Sequence, residues 1–237
     1  IEVNTHVDWH EKRRLLKVAF PVDILSARAT YHIQFAAVER STHKNTAYDH
    51  ARFEVPAHHW ADLSEADYGV SLLNDCKYGY DVRDNVLRLS LLRSPIDPDP
   101  HADEGEHHFT YALLPHQGNW RTGSVHEGYE LNAPLLATTV KVTAGDQPAA
   151  AALVETDRPN VIVETVKQAE DSDALVVRLY EAHGARGPVK VQFGITVSKV
   201  VECNLMEDPE TEIPVNSDSS IALQIKPFEV RSFLVWR

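Results

Sequence analysis

The chain has 237 residues and a formal net charge of -12, with 23 Lys and Arg against 35 Asp and Glu. At that length it can bury roughly 70% of its unfolded surface without staples, and its acidic balance, with no basic run interleaved with aromatics, excludes nucleic-acid backbone recognition. No apolar run approaches the ~20 residues that cross a bilayer and no basic-then-apolar leader follows Ile1, so no membrane insertion is expected.

Alternation of apolar and polar residues marks strands with one buried face, and it recurs from one end of the chain to the other. Residues 14–22, 30–35 and 49–55 read as strands. Leu87, Leu89 and Leu91 share a face with Arg88 and Ser90 opposite, and His107, Phe109, Tyr111 and Leu113 repeat the pattern. A helical turn is expected from Ser124, where Ser124 and Glu127 have capping-box spacing and Glu130 and Leu131 continue it. Composition changes at residues 145–152, where Gly, Pro and Ala replace aromatic-rich strands. Beyond it, residues 161–166, 174–180, 189–196 and 228–236 read as strands, and Ile221, Leu223 and Ile225 line one face of another. Many short strands separated by turn residues predict sandwiches.

Cys76 and Cys203 lie far apart with no CxxC spacing, and both are expected to be small buried side chains. No Asn-x-Ser/Thr sequon occurs, in keeping with an intracellular protein. No Gly-x-Ser-x-Gly elbow, P-loop or GxGxxG is present, so serine-hydrolase, nucleotide and dinucleotide chemistry lack their usual support.

Thirteen histidines invite a metal reading, above all near Asp97, Asp99, His101, Asp103, Glu104, Glu106, His107 and His108. Adjacent residues on a strand point to opposite faces, so His107 and His108 cannot share an ion, and the same objection meets His58 and His59 if they are extended. There is no HExxH and no thiolate pair, so no metal site is expected in this chain. A retaining glycosidase needs two carboxylates about 5 to 5.5 Å apart. The acidic loop offers many, but Pro95, Pro98 and Pro100 mark it as irregular, and solvation accounts for such residues. No catalytic pair is assigned.

Sugar sites combine planar polar groups that grip hydroxyl pairs with aromatic faces set against the ring. Asn74, Asp75, Lys77, Tyr78 and Tyr80 offer that set within seven residues, with Arg93, Asp97, Asp103 and His107 close behind in sequence. A strand end and turn would explain Asn74, Asp75 and Gly79 equally well. A second polar cluster, ERSTHKNT at residues 39–46, holds Arg40 and His43.

Several motifs in order carry a family resemblance: VDWHE at 7–11, LKVAFP at 16–21, ARFEVP at 51–56, GVSLLNDCKYGY at 69–80, LRLSLLRSP at 87–95, PDPHADEG at 98–105 and FTYALLPH at 109–116. Together they resemble the C-terminal β region of glycoside hydrolase family 38, the zinc-dependent retaining α-mannosidases, most closely the cytosolic and bacterial branch. The resemblance covers essentially the whole chain and implies an all-β architecture, with a large supersandwich-like β-sandwich over residues 1–145 and a smaller one over 146–237 that closes with a segment like KPFEVR at 226–231. It places the nucleophile, the acid/base and the zinc ligands in an N-terminal catalytic domain that nothing here resembles, so the chain reads as a fragment with no cofactor of its own.

The resemblance makes that catalytic domain the partner, an α-mannoside the substrate of the parent, the cytoplasm its compartment, and homo-oligomers of the parent an open expectation. Arg93 is the nearest match to an arginine that some members bring to the cleft rim, and Arg40 and His43 correspond to a segment that could contact the catalytic domain. The chain alone is expected to fold without turnover. The alternative is a stand-alone carbohydrate-binding β-sandwich, because fold alone does not decide between the two.

Overall fold

The computed structural model describes residues 1–141, 145, 148 and 150–237. The chain forms two compact units, Ile1–Ala137 and Thr138–Arg237. The expected boundary after residue 145 falls beside Asp146, which with five others of the 142–149 stretch lies outside the described residues.

In the first unit the strands are β1 (Glu2–Trp9), β2 (Leu16–Pro21), β3 (Arg28–Ile33), β4 (Ala36–Ser41), β5 (Val55–Pro56), β6 (Trp60–Ser64), β7 (Tyr68–Asn74), β8 (Gly79–Arg83), β9 (Val86–Leu92) and β10 (Gly105–Gln117). Two short helices are α1 (Ala47–Ala51) and α2 (Ser124–Asn132), the latter preceded by a 3-10 turn at Trp120–Thr122. The strands make two antiparallel sheets, ordered β1-β10-β7-β6-β3-β4 and β2-β9-β8-β5. Leu87, Leu89 and Leu91 of the smaller sheet and Tyr31, Leu63, Leu72, Phe109 and Tyr111 of the larger one meet in a single core. Each such side chain removed from water contributes about 1.5–3 kcal/mol. The period-two pattern therefore has its ordinary cause, one face of each sheet turned to the other.

Two local expectations are corrected. Residues 49–55 do not form one strand, because Thr46 caps a helical turn: its hydroxyl accepts from Asp49 N, while the Asp49 carboxylate accepts from Thr46 N at 3.1 Å. That reciprocal pair satisfies the first donors of α1 and leaves only Val55–Pro56 extended. The helix expected at Ser124 is present, but not for the reason given. Gly123 is its N-cap with no side-chain cap, and the Ser124 hydroxyl turns inward to Ser71 Oγ at 2.6 Å. Packing holds α2 instead, and Gly128 permits it: a Cβ there would sit 3.0 Å from Trp60 Cδ1 and 3.2 Å from His59 Cβ.

In the second unit β11 (Val154–Thr156), β14 (Gly187–Phe193) and β17 (Ser220–Ile225) form one sheet. The strands β12 (Val161–Gln168), β13 (Leu175–Glu181), β15 (Lys199–Cys203), β16 (Pro209–Ile213) and β18 (Val230–Trp236) form the other, in the order β12-β13-β18-β15-β16. Val189, Val191, Ile221, Leu223 and Ile225 face Val177, Leu179, Val200, Phe233 and Val235. Val176, Val201 and Leu234 make a second cluster with Ala174 and Cys203. Both cysteines are free thiols, and Cys203 is buried as expected, whereas Cys76 is exposed because it lies in the connection after β7.

Candidate functional site

The connection from β7 in the larger sheet to β8 in the smaller one spans residues 75–78, and Asn74 shapes it. Only 2% exposed, Asn74 accepts through Oδ1 from Cys76 N at 2.9 Å and from Lys77 N, and its Nδ2 donates to the His58 carbonyl at 3.0 Å and to the Tyr80 hydroxyl. Its own carbonyl accepts from Asn132 Nδ2 of α2 at 2.9 Å. A buried amide with its donors and acceptors used internally is a staple for the turn. Asp75 is likewise engaged, its carboxylate accepting from Thr110 N at 2.9 Å.

Lys77 and Tyr78 differ. The Lys77 ammonium sits 4.3 Å from the Phe109 ring centroid, and the Tyr78 ring, on a residue 62% exposed, lies edge-on to His58 with ring centroids 5.4 Å apart. The cleft bounded by His58, His59, residues 74–78 and Asn132 has a volume of about 50 Å³. Pockets that enclose small molecules hold roughly 300–1,000 Å³. By itself this cleft has room for water and not for a sugar ring.

The acidic loop between β9 and β10 is organised by Asp103. Its carboxylate accepts from Ser94 N at 2.8 Å and Arg93 N at 3.0 Å. The Ser94 bond, opposed by modest burial and aided by the Arg93 bond and by the charges of His107 and Lys77, holds the Asp103 carboxyl below its usual range. Trp9 Nε1 donates to Ser94 Oγ at 2.5 Å, and His107 Nε2 lies 2.8 Å from the Asp103 carbonyl. Asp99 closes a turn on His101 N, and Glu104 pairs with His101 and Lys12.

Arg93 and Asp97 stand apart from that network. Both are exposed, and among the described residues neither the Arg93 guanidinium nor the Asp97 carboxylate has a hydrogen-bond or ion-pair partner. The 75–78 connection packs on β10, the strand that the acidic loop leads into, through Lys77 on Phe109 and Asp75 on Thr110, and the Lys77 charge helps to lower the Asp103 pKa. Asn74, Asp75, Lys77, Tyr78, Arg93, Asp97, Asp103 and His107 thus belong to one end of the first unit. Five are engaged, Asn74, Asp75, Asp103 and His107 by hydrogen bonds and Lys77 on the Phe109 ring, while Arg93, Asp97 and Tyr78 are exposed.

Arg40 and His43 form a separate group. Arg40 lies on β4, the far edge of the larger sheet, with its guanidinium 4.6 Å from the Tyr31 ring centroid and Nη1 buried without a partner. Burial lowers the Arg40 pKa, opposed by Tyr31 and reinforced by Arg52, and burial pushes the Tyr31 phenol up to about 12 against the pull of Arg40. His43 joins Arg40, Arg52, Tyr80 and Asp81 around a narrow cavity of about 40 Å³. Tyr80 is the common neighbour, its hydroxyl bonded to Asn74 and its ring walling the Arg40 cavity.

Residues 1–101 match the family model described as "Glycosyl hydrolases family 38 C-terminal domain", and residues 160–233 match "Glycosyl hydrolases family 38 C-terminal beta sandwich domain". The chain belongs to glycosyl hydrolase family 38. It is 47% identical to "Alpha-mannosidase 2C1" of Mus musculus, covering 99% of this chain and 23% of that protein. It is 40% identical to "Alpha-mannosidase G" of Dictyostelium discoideum, covering 98% of this chain and 22% of that protein. The chain therefore spans about a quarter of the length of these relatives. A solved alpha-mannosidase from Enterococcus faecalis V583 shares the fold with a TM-score of 0.81 at 19% identity, over 98% of this chain and 27% of that one.

Within this family-38 chain, three polar groups went unseen in the sequence. Asp62, 1% exposed, takes Ser64 Oγ, Ser71 Oγ at 2.8 Å and His116 Nε2 at 2.7 Å. Ser71 passes the chain on to Ser124, so the network ties β6, β7, β10 and α2 together. Ser71 Oγ also lies 3.4 Å from His116 Nε2, but that nitrogen is the one bound to Asp62 at 2.7 Å, so the imidazole does not bridge serine and carboxylate through its two nitrogens and the group is a structural arrangement. Burial pulls the His116 pKa down, but the hydrogen bond and charge of Asp62 with the Gln117 carbonyl outweigh it and leave the value raised.

The second group is His32, whose Nδ1 accepts from His59 N at 3.2 Å. Burial, then the charges of His59 and His58, lower its pKa to about 3. A charged residue inside the apolar run WADL at 60–63 was the available signal for Asp62; nothing local marked His32. The third is a cross-strand set, His6, Glu106 and His108, visible only once β1 and β10 are paired.

Proposed function

We propose that the chain is the non-catalytic C-terminal β region of a retaining, zinc-dependent α-mannosidase, and that its first unit turns the loops at 74–80 and 93–107 toward a catalytic domain. The observation that carries this reading is the division of labour in those loops. Asn74, Asp75 and Asp103 hold the backbone, and Arg93, Asp97 and Tyr78 keep their polar groups unengaged. An exposed guanidinium, carboxylate and phenol on a braced loop suit a role that another surface completes, whether that surface is the catalytic domain, the mannoside, or both. In this reading the two units are the large β domain and the small sandwich of the region, and Arg40 and His43 offer a second contact to the same domain. The cytoplasmic setting and any homo-oligomer of the parent are part of the same reading.

Retaining hydrolysis requires a nucleophile and an acid/base about 5 to 5.5 Å apart, and zinc in the catalytic domain would grip sugar hydroxyls and stabilise charge. The loops at 74–107 do not fit that ion: His107 is already bonded to the Asp103 carbonyl, and Asp103 to two backbone amides. The contribution of this chain is rigidity and wall residues, and the zinc is expected elsewhere.

The purified chain, folded by circular dichroism, is expected to release no nitrophenol from a nitrophenyl α-mannoside with or without zinc. Metal-dependent turnover that survives repurification would overturn the reading. The alternative of a stand-alone sugar-binding module is disfavoured by two observations. Trp60 and Trp120 are stacked on each other and buried, so they offer no platform, and the cleft beside Tyr78 is too small for a ring.

A further inference from the structure

On the outward face of the larger sheet, β1 and β10 pair antiparallel with His6 opposite His108 and Asp8 opposite Glu106. The two imidazoles are parallel, 2° apart in plane with centroids 4.4 Å apart. Glu106 reaches diagonally to His6, its Oε2 4.0 Å from Nε2. One ligand atom from each of the three residues lies within 4.8 Å of the other two, and all three are exposed. Among the described residues this is the one group of three such side chains so arranged.

We propose that His6, His108 and Glu106 form a surface site for a divalent first-row transition ion such as Zn²⁺, Co²⁺, Ni²⁺ or Cu²⁺. The donor set argues the class. Two neutral imidazoles with one carboxylate suit borderline ions, and they are a poor set for Ca²⁺ or Mg²⁺, which prefer oxygen throughout. Geometry argues the feasibility. Zinc bonds of about 2.0–2.2 Å in a tetrahedron put donor atoms roughly 3.3 Å apart. The three donors must therefore draw together by at most about 1.5 Å from their present spacing, through rotation of exposed side chains and with no movement of the strands that carry them. The fourth position stays open to water.

The site joins two strands. β1 is the edge of its sheet and pairs with β10 alone. An ion held by His6 from one strand and by His108 and Glu106 from the other clips that edge strand to its neighbour and adds stability. The neighbouring rung of Thr110 Oγ1 on Asn4 Oδ1 at 2.9 Å bonds the same two strands from the same face. This inference does not depend on the proposed function, since it concerns a different face and needs no substrate.

The test is calorimetric titration of the 237-residue chain with zinc chloride, with thermal melts and the visible spectrum of added Co²⁺ as second readouts. The expected result is one site of micromolar affinity, a melting point raised by about 3 °C at saturating zinc, and a cobalt spectrum of four- or five-coordinate type. His6→Gln and His108→Gln are each expected to weaken binding tenfold or more, Glu106→Gln less, and the control His101→Gln not at all. The proposal is overturned if the His6→Gln/His108→Gln double variant, shown folded by circular dichroism, binds zinc as tightly as the unaltered chain, or if His101→Gln removes the binding instead.

Discussion

The two units solve the same problem, a core between two sheets, with different materials. In the second unit the hydrophobic core is Val, Leu, Ile and Phe, joined by the buried hydroxyls of Ser220 and Ser232, and among the described residues its one deeply buried carboxylate, Glu181, is consumed by four donors: Asn160 Nδ2 and His183 N on Oε1, Ala185 N and Phe228 N on Oε2, at 2.7–3.1 Å. The first unit threads polar groups through its packing, with Asp62, His116, Ser71 and Ser124 in one place, His32 and His59 in another and Asn74 in a third. Asn74 and the His32–His59 pair lie beside the connection at 75–78, while the Asp62 network fastens α2 to β6, β7 and β10. A sandwich that only has to fold can be apolar inside. One that must hold loops at set positions uses buried polar bonds, because these specify geometry where apolar contacts tolerate sliding.

That contrast can be broken most severely by acid. His32 is bound neutral, and its pKa of about 3 in the fold lies well below the 6.5 of an ordinary histidine. Between those values the unfolded chain carries the extra proton, so the contribution is full above about pH 6.5 and is lost as pH falls toward 3, approaching about 5 kcal/mol. The first unit is expected to lose stability across that window, and His32→Phe to flatten the slope, as followed by urea midpoints against pH. His116 works in the opposite direction. Its raised pKa gives a contribution present below about 6.5 that fades as pH rises through the higher value.

Next in size, Glu181→Ala strands four donors, the buried Asn160 amide and three part-buried backbone amides, and is expected to cost the second unit about 3 kcal/mol. The unfolding midpoint reported by Trp236 fluorescence should drop, while that of the first unit, reported by Trp60 and Trp120, should not. Asp62→Ala leaves His116 and two serines without their acceptor and is expected to cost the first unit about 2–3 kcal/mol, with the reverse pattern of midpoints. Asn74→Ala comes below these at about 2 kcal/mol, and should also speed hydrogen exchange at Cys76 and Lys77, whose amides it holds. Arg93→Ala and Asp97→Ala are expected to move stability by less than about 0.5 kcal/mol.

Much of this architecture was legible because period-two patterning survives any tertiary detail. Leu87, Leu89 and Leu91 on one face, and Ile221, Leu223 and Ile225 on another, could be read directly and lie where expected. Capping was harder. Thr46 and Asp49 form a capping box that the strand-like look of residues 49–55 concealed, while Ser124 and Glu127 have the spacing of one and do not make it. A serine can cap a helix or bond a neighbour, and only the position of Ser71 decides which.

Asn74, Asp75, Asp103 and His107 were grouped from the sequence, and the structure sets the first two against Tyr111 and Thr110 of β10 and the last two at the entry to the same strand. Which of them are used up was not legible, because a staple and a ligand-gripping group are made from the same side chains. The pairing of His6 with His108 depends on strands 102 residues apart in sequence, which no local pattern reports.

In the proposed function Arg93 and Asp97 are the working residues of the loops, with Asn74 and Asp103 as their scaffold. This assignment is tested most directly by kcat/KM for a nitrophenyl α-mannoside in the longer enzyme that the proposed function requires, comparing the Arg93→Ala/Asp97→Ala double variant with the unaltered protein at matched melting temperature. A fall of about tenfold or more with no change in melting temperature is expected. An unchanged kcat/KM in the well-folded double variant would contradict it and return both residues to the solvated surface.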